Sequence, residues 1–223
     1  KFCATGLMGY NRNLSAGEII DQYLMAAKLY GVENITNIVY MGMGEPLLNF
    51  KNTIKSLKIL TDETNSRLGR KRITISTAGI TPKIYKLADS GFRIKLALSL
   101  HSCFEDIRSK IMPINNKYSL ESIIQALNYY AKATKTKITF EYTMLKGLND
   151  RKEDIEAIVK LSRKFPSKIN IIPFNSIQHM NPGGISAELE PTPYKDILKF
   201  ANELKNRGLT VMLRDTQGDD IAA

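Results

Sequence analysis

The 223-residue chain has two cysteines, two histidines and no tryptophan. Cys3 and Cys103 alone make no disulfide framework, so a reducing cytoplasm is the expected setting. Two cysteines also fall short of a complete zinc or iron–sulfur ligand set. No apolar run approaches the ~18 residues of a membrane helix, and no membrane partner is expected. No G-x-G-x-x-G follows an early strand, which weakens the dinucleotide-binding form of an open sheet. No linker or low-complexity tract interrupts the chain. No signal peptide is visible, and because the first residue is Lys1 rather than Met, a preceding segment is expected.

What is present is ordinary for a globular protein: 43% hydrophobic and 24% charged residues. The length suffices for one large α/β domain, and residues 1–223 are read as one. Lys and Arg number 32 against 22 Asp and Glu, a net charge of +10. That excess favours a polyanionic partner, although a merely basic surface accounts for it equally well.

Short β-type runs alternate with longer helical patterns. Strands are expected at 35–41, 73–77, 94–100, 138–145, 169–174 and 209–213. Nearly continuous apolar or β-branched content predicts strands buried on both faces of a parallel sheet. Ser15 with Glu18 forms a capping box, and Gly31 ends that helix. Pro82 suits a first helical turn and Ser119 an N-cap. Asp150 with Glu153 reads as another capping box, and Thr192-Pro193 opens the last helix, which Gly208 closes. Repeated βαβ units fit a (β/α) barrel or an open doubly wound sheet. The longest irregular stretch is 178–190, and a second loop carries Arg67, Arg70, Lys71 and Arg72.

Polar groups recur where the apolar runs end. Gly42-Met43-Gly44-Glu45-Pro46 follows the first strand; Ser76 and Thr77 end the second and precede Ala78-Gly79. Ser99-Leu100-His101 ends the third, Pro173-Phe174-Asn175 the fifth and Arg214-Asp215 the sixth. In a parallel barrel these carboxyl ends share the rim where active sites are built. Gly42 and Gly44 allow close approach of backbone to a ligand, and Glu45 adds an acceptor for an ammonium group. An ordinary turn before Pro46 is the plainer alternative.

The order of these segments is more specific than any one of them. Lys-Phe-Cys-Ala-Thr-Gly, Met-Gly-Met-Gly-Glu-Pro, Ile-Ser-Thr-Ala-Gly, Leu-Ser-Leu-His, Met-Pro-Ile-Asn, Pro-Phe-Asn and the final Arg-Asp-Thr-Gln-Gly-Asp-Asp-Ile-Ala-Ala follow one another. Together they resemble the RlmN/Cfr family of radical S-adenosylmethionine (SAM) rRNA adenine methyltransferases, over the whole chain. The resemblance implies a partial (β/α)6-type TIM-like barrel lacking its first strand. It implies a 4Fe-4S cluster held by three cysteines spaced C-x3-C-x2-C, of which Cys3 matches the last. The site residues it implies for SAM are Gly44, Glu45, Ser76, Ser99, Leu100, His101 and Asn175. His101 is assigned binding rather than general-base work. Cys103 matches no family cysteine and reads as incidental.

The implied reaction methylates carbon 2 of an adenine in 23S rRNA and tRNA through a methyl-cysteine intermediate. The family's methyl-carrying and resolving cysteines match no residue here, so no catalytic residue is assigned and the fragment alone is expected to be inactive. An sp2 adenine carbon is not nucleophilic, whereas a carbon radical can add to it and the cluster supplies the electron. Expected partners are 23S rRNA, tRNA and an electron donor, with a monomeric state. Arg12, Arg67, Arg70, Lys71, Arg72, Arg108, Lys110, Lys117, Lys146, Arg151 and Lys152 are the candidate RNA contacts. The sister activity at carbon 8, and a binding-only domain that has lost its chemistry, share most of these motifs.

Overall fold

A computed structural model describes residues 1–62 and 69–214. Six strands form one all-parallel sheet in chain order: β1 (Ile38–Tyr40), β2 (Ile73–Thr77), β3 (Lys95–Ser99), β4 (Ile138–Met144), β5 (Ser167–Pro173) and β6 (Val211–Leu213). β1 and β6 are its two edges, so the sheet is open rather than closed. α1 (Ala4–Leu7) and α2 (Ala16–Tyr30) precede β1, and α3 (Phe50–Leu60), α4 (Thr81–Asp89), α5 (Glu105–Ile111), α6 (Leu120–Thr134), α7 (Lys152–Ser162), α8 (Ile185–Glu188) and α9 (Tyr194–Asn206) fill the connections between strands. This is the α/β architecture of a partial TIM-like barrel.

Only one face of the sheet belongs to the main core. Ile73, Ile75, Leu96, Leu98, Ile138, Phe140, Tyr142, Ile169 and Ile171 pack with Leu57, Ile84, Leu87, Leu127, Ile158, Phe200 and Leu204 of the helices. The alternate positions form the other face: Thr74 and Ser76, Lys95, Ala97 and Ser99, Thr139, Glu141 and Thr143, Lys168, Asn170 and Ile172. The expectation of strands buried on both faces holds for β4, every residue of which is buried, while β2, β3 and β5 carry half-buried positions on the second face. β-branched threonines hid a period-2 alternation, because Thr scores as a strand former while carrying a hydroxyl.

The capping signals mostly hold. Ser15 Oγ accepts from Glu18 N at 3.2 Å, and Glu18 accepts from Ser15 N at 2.8 Å. The expected Asp150–Glu153 box is displaced by one residue: Asp154 Oδ2 accepts from Arg151 N at 3.1 Å. Asp150 instead accepts from Gly147 N at 2.8 Å and from Thr192 Oγ1 at 2.9 Å, joining two loops. The irregular 178–190 stretch contains a 3-10 turn at Gln178–Met180 and α8. It is anchored by Lys146 N donating to Glu190 O at 2.9 Å. Ile177 and Leu189 bury into a second, smaller cluster with Ile111, Met112, Leu145 and Phe174. That cluster lies at the carboxyl ends of the strands, where it supports the mouth of the half-barrel.

Candidate functional site

At the mouth, the turn after β1 places Gly44 at φ +85°, and a Cβ there would meet nothing within 4 Å. The left-handed backbone, rather than lack of space, is what favours glycine at that exposed position. Glu45 then turns inward. Its Oε2 accepts from Ala78 N at 2.6 Å and its Oε1 from Leu47 N at 3.0 Å. Burial pushes the Glu45 carboxyl above its usual range, against the pull of hydrogen bonds from Ala78, Leu47 and Thr77. The carboxylate thus joins the end of β1 to the end of β2.

Ser76 lies on the polar face of β2, next to Ala97 of β3, and Ser99 pairs in register with Glu141 of β4. Gly79, just past Ser76-Thr77-Ala78, has φ +108°, and a Cβ on it would come 2.5 Å from Ile123 Cδ1 of α6. The left-handed backbone and the close approach of Ile123 together favour glycine there. Leu100 is fully buried in the main core. Its N–H donates to Glu141 O at 3.0 Å, and its carbonyl accepts from Ser102 N at 2.7 Å and Arg108 Nε at 3.1 Å. Leu100 therefore has both its backbone polar groups engaged. Asn175 is half-buried just beyond β5 and follows the buried Phe174.

His101 is buried, with φ +53°. Its Nδ1 accepts from Thr143 N at 3.0 Å, which leaves the proton on Nε2. Burial first, and then the Arg108 cation, hold its pKa down to about 3. Nitrogen-15 NMR is expected to show this imidazole neutral from about pH 8 to about pH 5, with no titration near the ordinary 6.5. A midpoint near 6.5 would show a ring free of Thr143. Such a histidine is a neutral strut with one N–H to offer.

Cys3 is exposed at the N-terminal end of α1. Its neighbours anchor it at the mouth. Phe2 packs edge-on against His101 with ring centroids 4.3 Å apart. Phe2 and Ala4 both pack against the second cluster, as does Ala78. Cys103 differs: burial pushes its thiol up to about 12, an inert state. Among the described residues no group of three or more His, Cys, Asp or Glu could hold a metal.

Several site residues were missed in the sequence. Glu141 is 4% exposed; its Oε1 accepts from Asn170 Nδ2 at 2.9 Å, while Glu141 Oε2 and Asn170 Oδ1 are buried without a hydrogen-bond partner. Two idle acceptors on the polar face suit a ligand that donates hydrogen bonds. The alternation Thr139, Glu141, Thr143 was the available signal. Arg108, grouped with the surface cations, is instead fully buried. Phe104, Ile107, Arg108 and Ile111 fall at i, i+3, i+4 and i+7, the inward stripe of α5, so spacing could have placed it there. Asn115 of Met-Pro-Ile-Asn is buried beside it.

Other expected RNA contacts are also engaged. Arg12 pairs with Glu18, Lys146 with Glu190 and Arg151 with Asp154. Arg70 to Arg72 form a 3-10 turn rather than an irregular loop. Arg67, Asp215 and the tail motif to Ala223 lie outside the described residues.

A family model described as the radical SAM superfamily matches residues 1–162. The chain belongs to the radical SAM superfamily. Its cofactors are accordingly a 4Fe-4S cluster and SAM. The chain is 44% identical over 225 residues to a probable dual-specificity RNA methyltransferase RlmN from Dictyoglomus turgidum. That match covers 100% of this chain and 63% of the relative. A protein of the same name from Clostridium novyi is 44% identical over 221 residues, covering 99% and 62%. Among solved structures, a radical SAM methyltransferase from Sphaerobacter thermophilus matches with a TM-score of 0.90 and 37% identity, over 99% of this chain and 63% of that one. The chain thus spans about 63% of the length of the relatives it matches.

Proposed function

We propose that residues 1–223 are the catalytic barrel of an RlmN-type RNA methyltransferase that methylates carbon 2 of an adenine in 23S rRNA and tRNA. The observation that carries this reading is the alignment of the whole chain, at 44% identity, with proteins named as probable dual-specificity RNA methyltransferases RlmN. The gathering of Glu45, Ala78, Ser99 and His101 around one strand-end rim supports it.

In this reading the rim binds SAM through Gly44, Glu45, Ser76, Ser99, Leu100, His101 and Asn175. Glu45 accepts from the methionine ammonium, a cation whose arrival would offset the burial that now opposes its charge. Ser76, Ser99 and Asn175 contribute neutral hydrogen bonds suited to a ribose and a zwitterion. His101 offers Nε2–H from a fixed ring. Cys3 supplies one thiolate to the cluster, and further cysteine ligands would come from outside these residues. When bound, the cluster supplies the electron that opens radical chemistry at an sp2 carbon. The net charge of +10 favours an RNA substrate. Exposed Lys110 and Lys117, on segments leading from the rim, are the cations best placed for phosphates. No helix of the described residues is long and apolar enough to cross a membrane, and we place the enzyme in the cytoplasm as a monomer served by an electron donor.

Mass spectrometry of nucleosides from rRNA and tRNA of a deletion strain tests the proposal. Loss of 2-methyladenosine from both is expected. Loss of 8-methyladenosine instead would move the chain to the sister activity. If neither disappears, the binding-only alternative takes its place.

A further inference from the structure

Arg108 is the largest fully buried side chain of the described residues and contacts no carboxylate directly. Its planar head instead faces backbone. Nε donates to Leu100 O at 3.1 Å, and Nη2 donates to Ala78 O at 2.8 Å and to Ser99 O at 3.1 Å. Nη1 donates to Asn115 Oδ1. Asn115 Nδ2 in turn donates to Ser109 Oγ at 2.8 Å and to Glu105 Oε2, and Glu105 Oε1 accepts from Leu120 N at 2.6 Å. A buried cation is tolerated where every partner is well placed, and a guanidinium fork can reach several carbonyls that an ammonium cannot.

These acceptors come from the ends of two adjacent strands. Ala78 is also the residue whose N–H holds Glu45. One continuous hydrogen-bonded path therefore runs from Leu120 through Glu105, Asn115, Arg108 and the Ala78 peptide to the Glu45 carboxylate. Ser-Thr-Ala-Gly, Ser-Leu-His and Met-Pro-Ile-Asn, read in the sequence as separate motifs, meet at this one side chain, and Gly-Glu-Pro joins them through Ala78.

We propose that Arg108 is a positioning residue: its buried guanidinium fixes the carboxyl ends of β2 and β3, and through Ala78 the Glu45 carboxylate, in the arrangement that receives SAM. The inference rests on the reading that this rim binds SAM. Arg108 need not touch the ligand. It sets where Ser99 and Glu45 stand, and recognition groups displaced by a fraction of an ångström lose much of their affinity.

The test uses the full-length protein with its cluster reconstituted and isothermal titration with SAM. Arg108→Lys keeps the charge but not the fork, and is expected to weaken SAM binding about tenfold or more. Asn115→Ala leaves Arg108 in place and releases one nitrogen, and a smaller loss, about threefold, is expected. Leu127→Ala, in the core on the far face of the sheet, controls for general destabilisation: its melting temperature should fall while affinity stays at the wild-type value. Arg108→Lys binding within twofold of wild type overturns the proposal. If Arg108→Lys does not fold, unchanged affinity in Asn115→Ala overturns it. Wild-type protein that binds no SAM removes the reading of the rim itself. Glu45→Ala losing affinity while Arg108→Lys does not would leave that reading standing and reject Arg108 alone.

Discussion

Replacing Glu45 with alanine should both loosen the fold and cut SAM affinity about tenfold or more, because its carboxylate does two jobs. In the structure it accepts from Ala78 N and Leu47 N. Removing it leaves two N–H groups short of an acceptor, each costing about 1–3 kcal/mol where water cannot reach. It also removes the only negative charge assigned to a cationic ligand group at the rim. Glu45→Gln separates the two roles. It keeps the length and one oxygen, but its amide nitrogen faces an N–H donor and carries no charge. Both variants should melt lower than wild type, and Glu45→Gln should bind SAM much more weakly than its modest loss of stability explains. Melting curves and calorimetry on the full-length protein provide both readouts. Weakened stability with SAM affinity intact would make Glu45 a strut between β1 and β2 and nothing more.

Much of the fold was legible because each strand and helix satisfies local rules. β2 was placed at its true bounds, 73–77, and the Ser15 box and the Ser119 cap sit where the spacing put them. The parallel order followed from strand–helix alternation, and so did the gathering of strand ends on one rim. Edge strands were overextended: β1 runs only 38–40 and β6 only 211–213. An edge strand pairs on one side, so its ladder ends sooner than the apolar run that announces it.

The wiring of the candidate site was not legible in the sequence. Glu45 was expected to face a ligand, yet its backbone partners Leu47 and Ala78 could not be read from spacing, since Ala78 lies 33 residues away. Arg108 shows the limit more sharply. An arginine is a surface residue by default, and that default outweighed its place on the inward stripe of α5. Three of its partners are backbone carbonyls, which carry no sequence signature. Glu141 was passed over for a related reason: a single acidic residue inside an apolar run looks like a strand irregularity until the two faces of the sheet are told apart. Both errors arise from tertiary contacts overriding a residue-type prior.

The separation of faces makes a second large prediction, carried by two adjacent residues of β4. Phe140 points to the helices, is fully buried and packs 6.0 Å, ring to ring, from Phe165. Thr139 points to the polar face beside Ala97 and Lys168. Both are almost inaccessible, so exposure does not distinguish them. Packing does. Phe140→Ala should open a cavity between sheet and helices and cost about 3–5 kcal/mol. Thr139→Ala removes a hydroxyl and a methyl from a face without its own apolar core, and should cost about 1 kcal/mol or less. Urea unfolding of the full-length protein, followed by circular dichroism, measures the difference as a shift in midpoint. Equal losses would mean that the two faces are packed alike. The polar lining beneath the rim would then be ordinary core, and Ser76, Ser99 and Glu141 would have no lumen to face.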